Sequence, residues 1–219
     1  MAVKFNEYWN IVPASLNEYV DFMKRSRIPT LNRLGINIAA MWCVLIGASP
    51  QIVSEGIAEN LDQMEGALKS DDYSKLTSKL FHFVTDYKSK VMVPSGRFQH
   101  LPRVSEQGTV KFSQYWDVIS GKEDQYDQFI KNEFYPALEA IGIRIGGEWK
   151  ILIGESPNIF FEGRCDQAEQ LLIALNSQKF KAMKYELLKL VSNYSSRVLI
   201  FHAFKSKGTK TSDYEFYYV

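Results

Sequence analysis

Gly35-Ile36-Asn37-Ile38-Ala39-Ala40-Met41-Trp42-Cys43-Val44-Leu45-Ile46-Gly47-Ala48-Ser49-Pro50 is answered, 107 residues later, by Gly142-Ile143-Arg144-Ile145-Gly146-Gly147-Glu148-Trp149-Lys150-Ile151-Leu152-Ile153-Gly154-Glu155-Ser156-Pro157. Within each stretch apolar side chains recur at every second place: Ile36, Ile38, Ala40, Trp42, Val44 and Ile46, matched by Ile143, Ile145, Gly147, Trp149, Ile151 and Ile153. A period of two belongs to a strand with one apolar face. Each stretch ends on a Ser-Pro turn.

The same spacing extends outward without a gap. Val3-Lys4-Phe5 returns as Val110-Lys111-Phe112, Tyr8-Trp9 as Tyr115-Trp116, Pro29 as Pro136, Glu55-Gly56 as Glu162-Gly163, and Tyr87 as Tyr194. About a third of the positions from 3 to 93 are identical to their counterparts, at a period the size of a domain rather than of a solenoid repeat. The chain therefore reads as a first repeat over 1–93, a Pro- and Gly-containing linker over 94–109, a second repeat over 110–205 and an aromatic tail over 206–219.

Each repeat opens with a β-prone stretch, Lys4 to Val12 or Lys111 to Ile119. Ser15 and Glu18 are spaced as a capping box, as are Ser120 and Glu123. Leu16, Tyr19, Val20, Met23 and Arg27 follow a helical stripe, which Pro29 must kink or restart and Gly35 must end. The strand quoted above comes next. A further strand follows at Gln51 to Glu59 or Asn158 to Cys165, then a helical region interrupted at Ser70-Asp71-Asp72. The repeat closes on a strand at Ser89 to Val93 or Ser196 to Phe204. The order β-α-β-β-α-β is the ferredoxin-like unit, with helices on one face of its sheet. A bare apolar sheet face must be buried. The fold class expected is therefore α+β: two tandem ferredoxin-like repeats forming an intramolecular α/β barrel. Trp42 and Trp149 are expected on the helix-covered side, as core.

These residues resemble the dimeric α/β-barrel superfamily in a fused tandem form, and within it the NIPSNAP-like branch. The likeness lies in the aromatic of the first strand, the Pro of the first helix and the Gly-Ile…Trp…Gly run, seen in the second repeat as Tyr135-Pro136, Gly142-Ile143, Trp149 and Gly154. Where that branch tends to carry an Arg in the first strand, this chain has Glu7 and Gln114. The resemblance implies an uncharacterised NIPSNAP-like barrel protein holding a small ligand. It also admits a cofactor-independent monooxygenase acting on an aromatic or polyketide-like substrate, and a haem-binding relative.

Composition narrows the classes. With 26 basic and 25 acidic residues, no nucleic-acid partner is expected. The longest apolar run, 38–48, is too short to span a bilayer, and the first residues lack a leader's apolar core. Two cysteines, Cys43 and Cys165, suit reduced thiols in a cytoplasmic protein. The chain is expected to be a monomeric pseudo-dimer or a homodimer. No metal or cofactor motif is present and none is expected. Haem would turn on His82, with Asn6 as its first-strand companion, and their counterparts are Lys189 and Ser113.

If the apolar strand faces pack on the helices, the intervening polar residues point into the barrel. That places Glu55, Glu162, Arg144, Glu148 and Arg164 around a ligand cavity between the two sheets, with Tyr8, Tyr115 and Phe160 as walls. The alternative is an internal ion-pair cluster or strand-end charges in solvent. The tail, aromatic from Tyr214 to Tyr218, could add an edge strand or dock on a partner.

Overall fold

The computed structural model describes residues 1–48, 50–98, 108–155, 157–205 and 214–216. Ser49, Ser156 and His100, and most of the expected tail, lie outside them. The chain divides into two compact units, Met1–Val44 with Ala48–Val93 and Phe201–Val219, and Leu45–Gly47 with Pro94–Ile200.

In the first unit the strands are β1 (Val3–Ile11), β2 (Asn37–Ile46, to Val44), β3 (Ile52–Ala58) and β4 (Val84–Pro94, to Val93). They lie in the order β2-β3-β1-β4 and the pairs are antiparallel. Helices α1 (Leu16–Phe22) and α2 (Ile28–Arg33) follow β1, and α3 (Leu61–Leu68) and α4 (Asp71–Leu80) follow β3. The second unit repeats this with β5 (Val110–Val118), α5 (Glu123–Phe129), α6 (Tyr135–Ala140), β6 (Arg144–Ile153), β7 (Ile159–Cys165), α7 (Ala168–Asn176), α8 (Gln178–Leu188) and β8 (Val191–Lys205, to Ile200), in the order β6-β7-β5-β8. Each is a ferredoxin-like βαββαβ unit. Beyond Ile200 the end of β8 belongs to the first unit, where β9 (Tyr214–Phe216) pairs with it.

Local chemistry explains the breaks. Between α1 and α2 one π-helical turn, Met23–Arg27, comes just before Pro29, and Ile130–Phe134 comes before Pro136. Proline supplies no N–H to the turn before it, and a widened turn absorbs the missing bond. Gly35 and Gly142 stop the helices with φ of 90° and 86°, as the sequence predicts for C′ glycines. Ser70 Oγ accepts from the Tyr73 N–H at 3.2 Å, capping α4. The capping boxes at Ser15 and Ser120 do not form. Ser15 ends a 3-10 turn with no side-chain cap, and Lys122 is the uncapped residue before α5. Helix α4 ends at Leu80, and β4 starts at Val84.

The largest departure from expectation is in β2 and β6. Register slips by one residue between Ile38 and Ala40, and between Ile145 and Gly147. Such a bulge moves every later side chain to the other face. Ile36 stays on the helix side, against Gly56, where a Cβ would stand 2.5 Å from it. Trp42 and Trp149 are turned to the helix-free face, contrary to expectation. Met41 and Glu148 take the helix-facing places instead.

Among the described residues no helix is long and apolar enough to cross a membrane, and no three His, Cys, Asp or Glu side chains form a metal-binding group.

Candidate functional site

On the helix-free face each repeat carries the same buried triad. In the first, Lys4 Nζ lies 3.1 Å from Glu55 Oε1, and the Trp42 indole N–H donates to Glu55 Oε2 at 2.8 Å. In the second, Lys111 pairs with Glu162 and the Trp149 N–H donates to it at 2.8 Å. Tyr115 stacks on Phe160 at 4.9 Å, and Asn6 donates to the Tyr8 hydroxyl at 3.3 Å. Glu55 and Tyr8 thus share this face in the first unit, and Glu162, Tyr115 and Phe160 in the second. Arg164 lies opposite Arg144 in the register, and Arg144 pairs with Asp166 at an exposed strand end. Glu148 leaves the group altogether, since the bulge turns it to the helices. Both Glu55 and Glu162 already have an ammonium and an indole as partners, the arrangement by which a buried carboxylate is kept stable.

A different cluster lies on the helix side of the first repeat. Glu7 alternates with Phe5 and Trp9 on the core face of β1, and Arg27 lies on the core stripe of the π-turn. Both are 0% exposed. Arg27 Nη2 donates to Glu7 Oε1 at 2.5 Å, the Tyr87 hydroxyl donates to the same oxygen at 2.6 Å, and Tyr73 and Tyr87 hydroxyls stand 3.1 Å apart. Aromatic rings surround the pair: Tyr87 stacks on Trp9, Tyr73 meets Phe5 edge-on, and Tyr19 accepts from the Trp9 N–H at 3.2 Å. Burial pulls the Arg27 guanidinium down, but Glu7 and the two phenols outweigh it and hold it above its ordinary value. Burial, reinforced by the charge of Glu7, raises the pKa of the Tyr73 and Tyr87 hydroxyls and so keeps them protonated. Three polar atoms of this pair have no hydrogen-bond partner, namely Glu7 Oε2, Arg27 Nε and Arg27 Nη1.

In the second repeat the counterparts of Glu7, Arg27 and Tyr73 are Gln114, Phe134 and Phe180. Tyr194 donates to Gln114 Oε1 at 2.8 Å, leaving the amide Nε2 without a partner. The carboxylate stands instead at Glu148, counterpart of Met41. Tyr126 donates to its Oε2 at 2.9 Å, Tyr135 donates to the same oxygen, and Arg97 Nη1 reaches Oε1 at 3.0 Å. Arg97 also donates to Asp127 at 2.5 Å and lies 4.9 Å above the Tyr126 ring. Here both oxygens are engaged.

His82 and Asn6, on which haem would turn, stand in different parts of the repeat. His82 is exposed beyond the end of α4, its Nδ1 3.1 Å from the Ser78 carbonyl, and Asn6 lies on the helix-free face. Burial raises the pKa of both thiols, Cys165 to about 11, and so favours their neutral form.

Sequence reading missed Glu7 and Arg27 as a pair, although both carried a signal: a charge on an alternating apolar strand, and a charge on an apolar helical stripe.

No known family profile matches the chain, and no curated protein matches its sequence. Solved structures do match its fold. A candidate monooxygenase from Lactobacillus acidophilus NCFM aligns over 91% of this chain and 93% of its own, with TM-score 0.61 and 12% identity. A mutant chlorite dismutase from Candidatus Nitrospira defluvii aligns over 90% and 91%, with TM-score 0.56 and 7% identity. A NIPSNAP family protein from Agrobacterium tumefaciens str. C58 aligns over 42% of this chain and 91% of its own, with TM-score 0.35 and 18% identity.

Proposed function

We propose that this chain, whose fold is that of the dimeric α/β-barrel superfamily, binds a small organic molecule between the sheet and helices of its first repeat, with Glu7 and Arg27 as its polar anchors. The observation that carries the reading is the trio of unpartnered atoms on two wholly buried charged groups. A buried polar atom left unpaired costs about 1–3 kcal/mol, more when charged, so such atoms mark a place for water, ion or ligand. The helix-free face gives less support, because both oxygens of Glu55 are taken up by Lys4 and Trp42.

The test is native mass spectrometry of the full chain, before and after incubation with a metabolite extract, on wild type and Glu7→Gln. Gln is what the second repeat carries at this place. A small adduct on the wild type, lost in the variant, supports the reading. A wild type that carries no adduct and takes none up overturns it.

A second reading, oxidation of the bound molecule by dioxygen without a cofactor, draws on the same oxygen. Glu7 Oε2, shielded from water, can take a proton from an acidic substrate and leave the electron-rich anion that reacts with dioxygen. Oxygen uptake by wild type but not by Glu7→Gln, with ligand present, supports turnover. Ligand recovered unchanged under air decides for binding alone.

A further inference from the structure

The chemistry of the same anchors also restricts what can bind, an inference that rests on the binding reading above. We propose that the ligand is a small, planar, uncharged compound bearing a hydrogen-bond donor beside an acceptor, as in a lactam, an aromatic amide or a cyclic urea.

Charge balance comes first. Glu7 and Arg27 are both fully buried and their charges cancel across the 2.5 Å contact. A ligand with net charge would leave an uncompensated ion in a dry interior, which costs several kcal/mol. The groups packed around the pair supply no charge of their own, since Tyr19, Tyr73 and Tyr87 are all held protonated by burial.

Valence comes second. Glu7 Oε2 can only accept, and Arg27 Nε and Nη1 can only donate. A ketone would answer Arg27 and leave Glu7 unmet. A carboxylate would answer Arg27 but set its second oxygen against Glu7. An amine cation would answer Glu7 and face Arg27. An N–H next to a C=O answers Glu7 Oε2 and one of the two Arg27 donors without altering the charge.

Shape comes third. The polar pair is framed by flat rings: Trp9 on Tyr87, Phe5 against Tyr73, and Tyr73 5.9 Å from the Arg27 guanidinium. Aromatic faces of this kind favour a flat partner, by stacking or edge-on contact.

The experiment titrates the full chain calorimetrically with three probes of one size: 2-pyridone (neutral donor–acceptor), benzoate (anion) and benzamidine (cation). The wild type is expected to bind 2-pyridone at least tenfold tighter than either ion. Glu7→Gln, which leaves Arg27 uncancelled, should reverse the order in favour of benzoate, and Arg27→Met should reverse it in favour of benzamidine. Tighter binding of benzoate or benzamidine by the wild type overturns the ligand class and leaves the binding site standing. No binding of any probe by a wild type that carries a native adduct overturns the class alone. No binding of any probe and no adduct overturns the class and the site together. The wild-type ranking decides the matter even if a variant fails to fold.

Discussion

In the first repeat the interior carboxylate stands on β1, at Glu7, and its cation, Arg27, comes from the helical turn above it. In the second the carboxylate stands on β6, at Glu148, and its cation, Arg97, comes from the segment following β4. The two halves share a third of their residues and one topology, yet neither charged partner is in the corresponding place. The difference teaches that this fold tolerates an ion pair between sheet and helices at more than one place, provided that each carboxylate has its cation beside it. Replacement travels in sets: where Glu7 becomes Gln114, Arg27 becomes Phe134, and where Met41 becomes Glu148, Ile28 becomes Tyr135 and supplies a hydroxyl. The two interiors also differ in completeness, since Glu148 has both oxygens bonded and Glu7 one.

The comparison can be broken most sharply at Arg27. Arg27→Phe alone strands Glu7 in the core and should cost about 3–5 kcal/mol, read as a lower urea midpoint. Glu7→Gln with Arg27→Phe imports the second repeat's pair and should recover most of that loss. A double variant as unstable as the single one would show that the halves are not interchangeable in this way.

Alkaline pH is the next lever. Burial, opposed by a hydrogen bond with Ser196, pushes the Tyr194 hydroxyl up to about 12. The unfolded phenol ionises near its ordinary value, so Tyr194 stabilises the fold fully below pH ~10. That contribution, ~3 kcal/mol, is lost as the pH climbs from there towards about 12. Tyr194→Phe should flatten the fall of the melting temperature in that window, and an unchanged slope would place the alkaline transition elsewhere.

Glu148→Met, which copies Met41, should cost less than Arg27→Phe, about 2 kcal/mol, because Arg97 is 18% exposed and can turn to water while two tyrosine hydroxyls lose their acceptor. Hydrogen exchange should quicken at Ser95, whose N–H bonds the Glu148 carbonyl, if Arg97 anchors that segment. Protection equal to wild type would assign the anchoring to the backbone.

The smallest effect belongs to a reciprocal surface pair. Asn10 donates to Asp86 at 2.7 Å, and in the other repeat Asn193 donates to Asp117 at 2.8 Å, with amide and acid exchanged. Asn10→Asp sets two carboxylates together and should cost about 1 kcal/mol at low salt. Adding Asp86→Asn should restore wild-type stability. Failure of that rescue would make the exchange accidental.

Most of the fold was legible because its signals are local. Pro29 needs a widened turn before it, Gly35 needs a positive φ, and Ser70 caps the next helix, each within a few residues of chain. The ionic neighbourhoods were less so. Glu55 and Glu162 were found, but their partners Lys4 and Lys111 lie some fifty residues away in sequence and become neighbours only through strand pairing.

By itself the sequence determined the duplication, the βαββαβ order and the helix stops at Gly35 and Gly142, because repetition, periodicity and the stereochemistry of proline and glycine act along the chain. Only the tertiary structure decided which way the β2 and β6 side chains face. A bulge is set by the partner strand, and one extra residue there sent Trp42 to the helix-free face and brought Glu148 under the helices. It also decided that Glu7 and Arg27, each an isolated charge on an apolar pattern, are one pair with bonding capacity to spare.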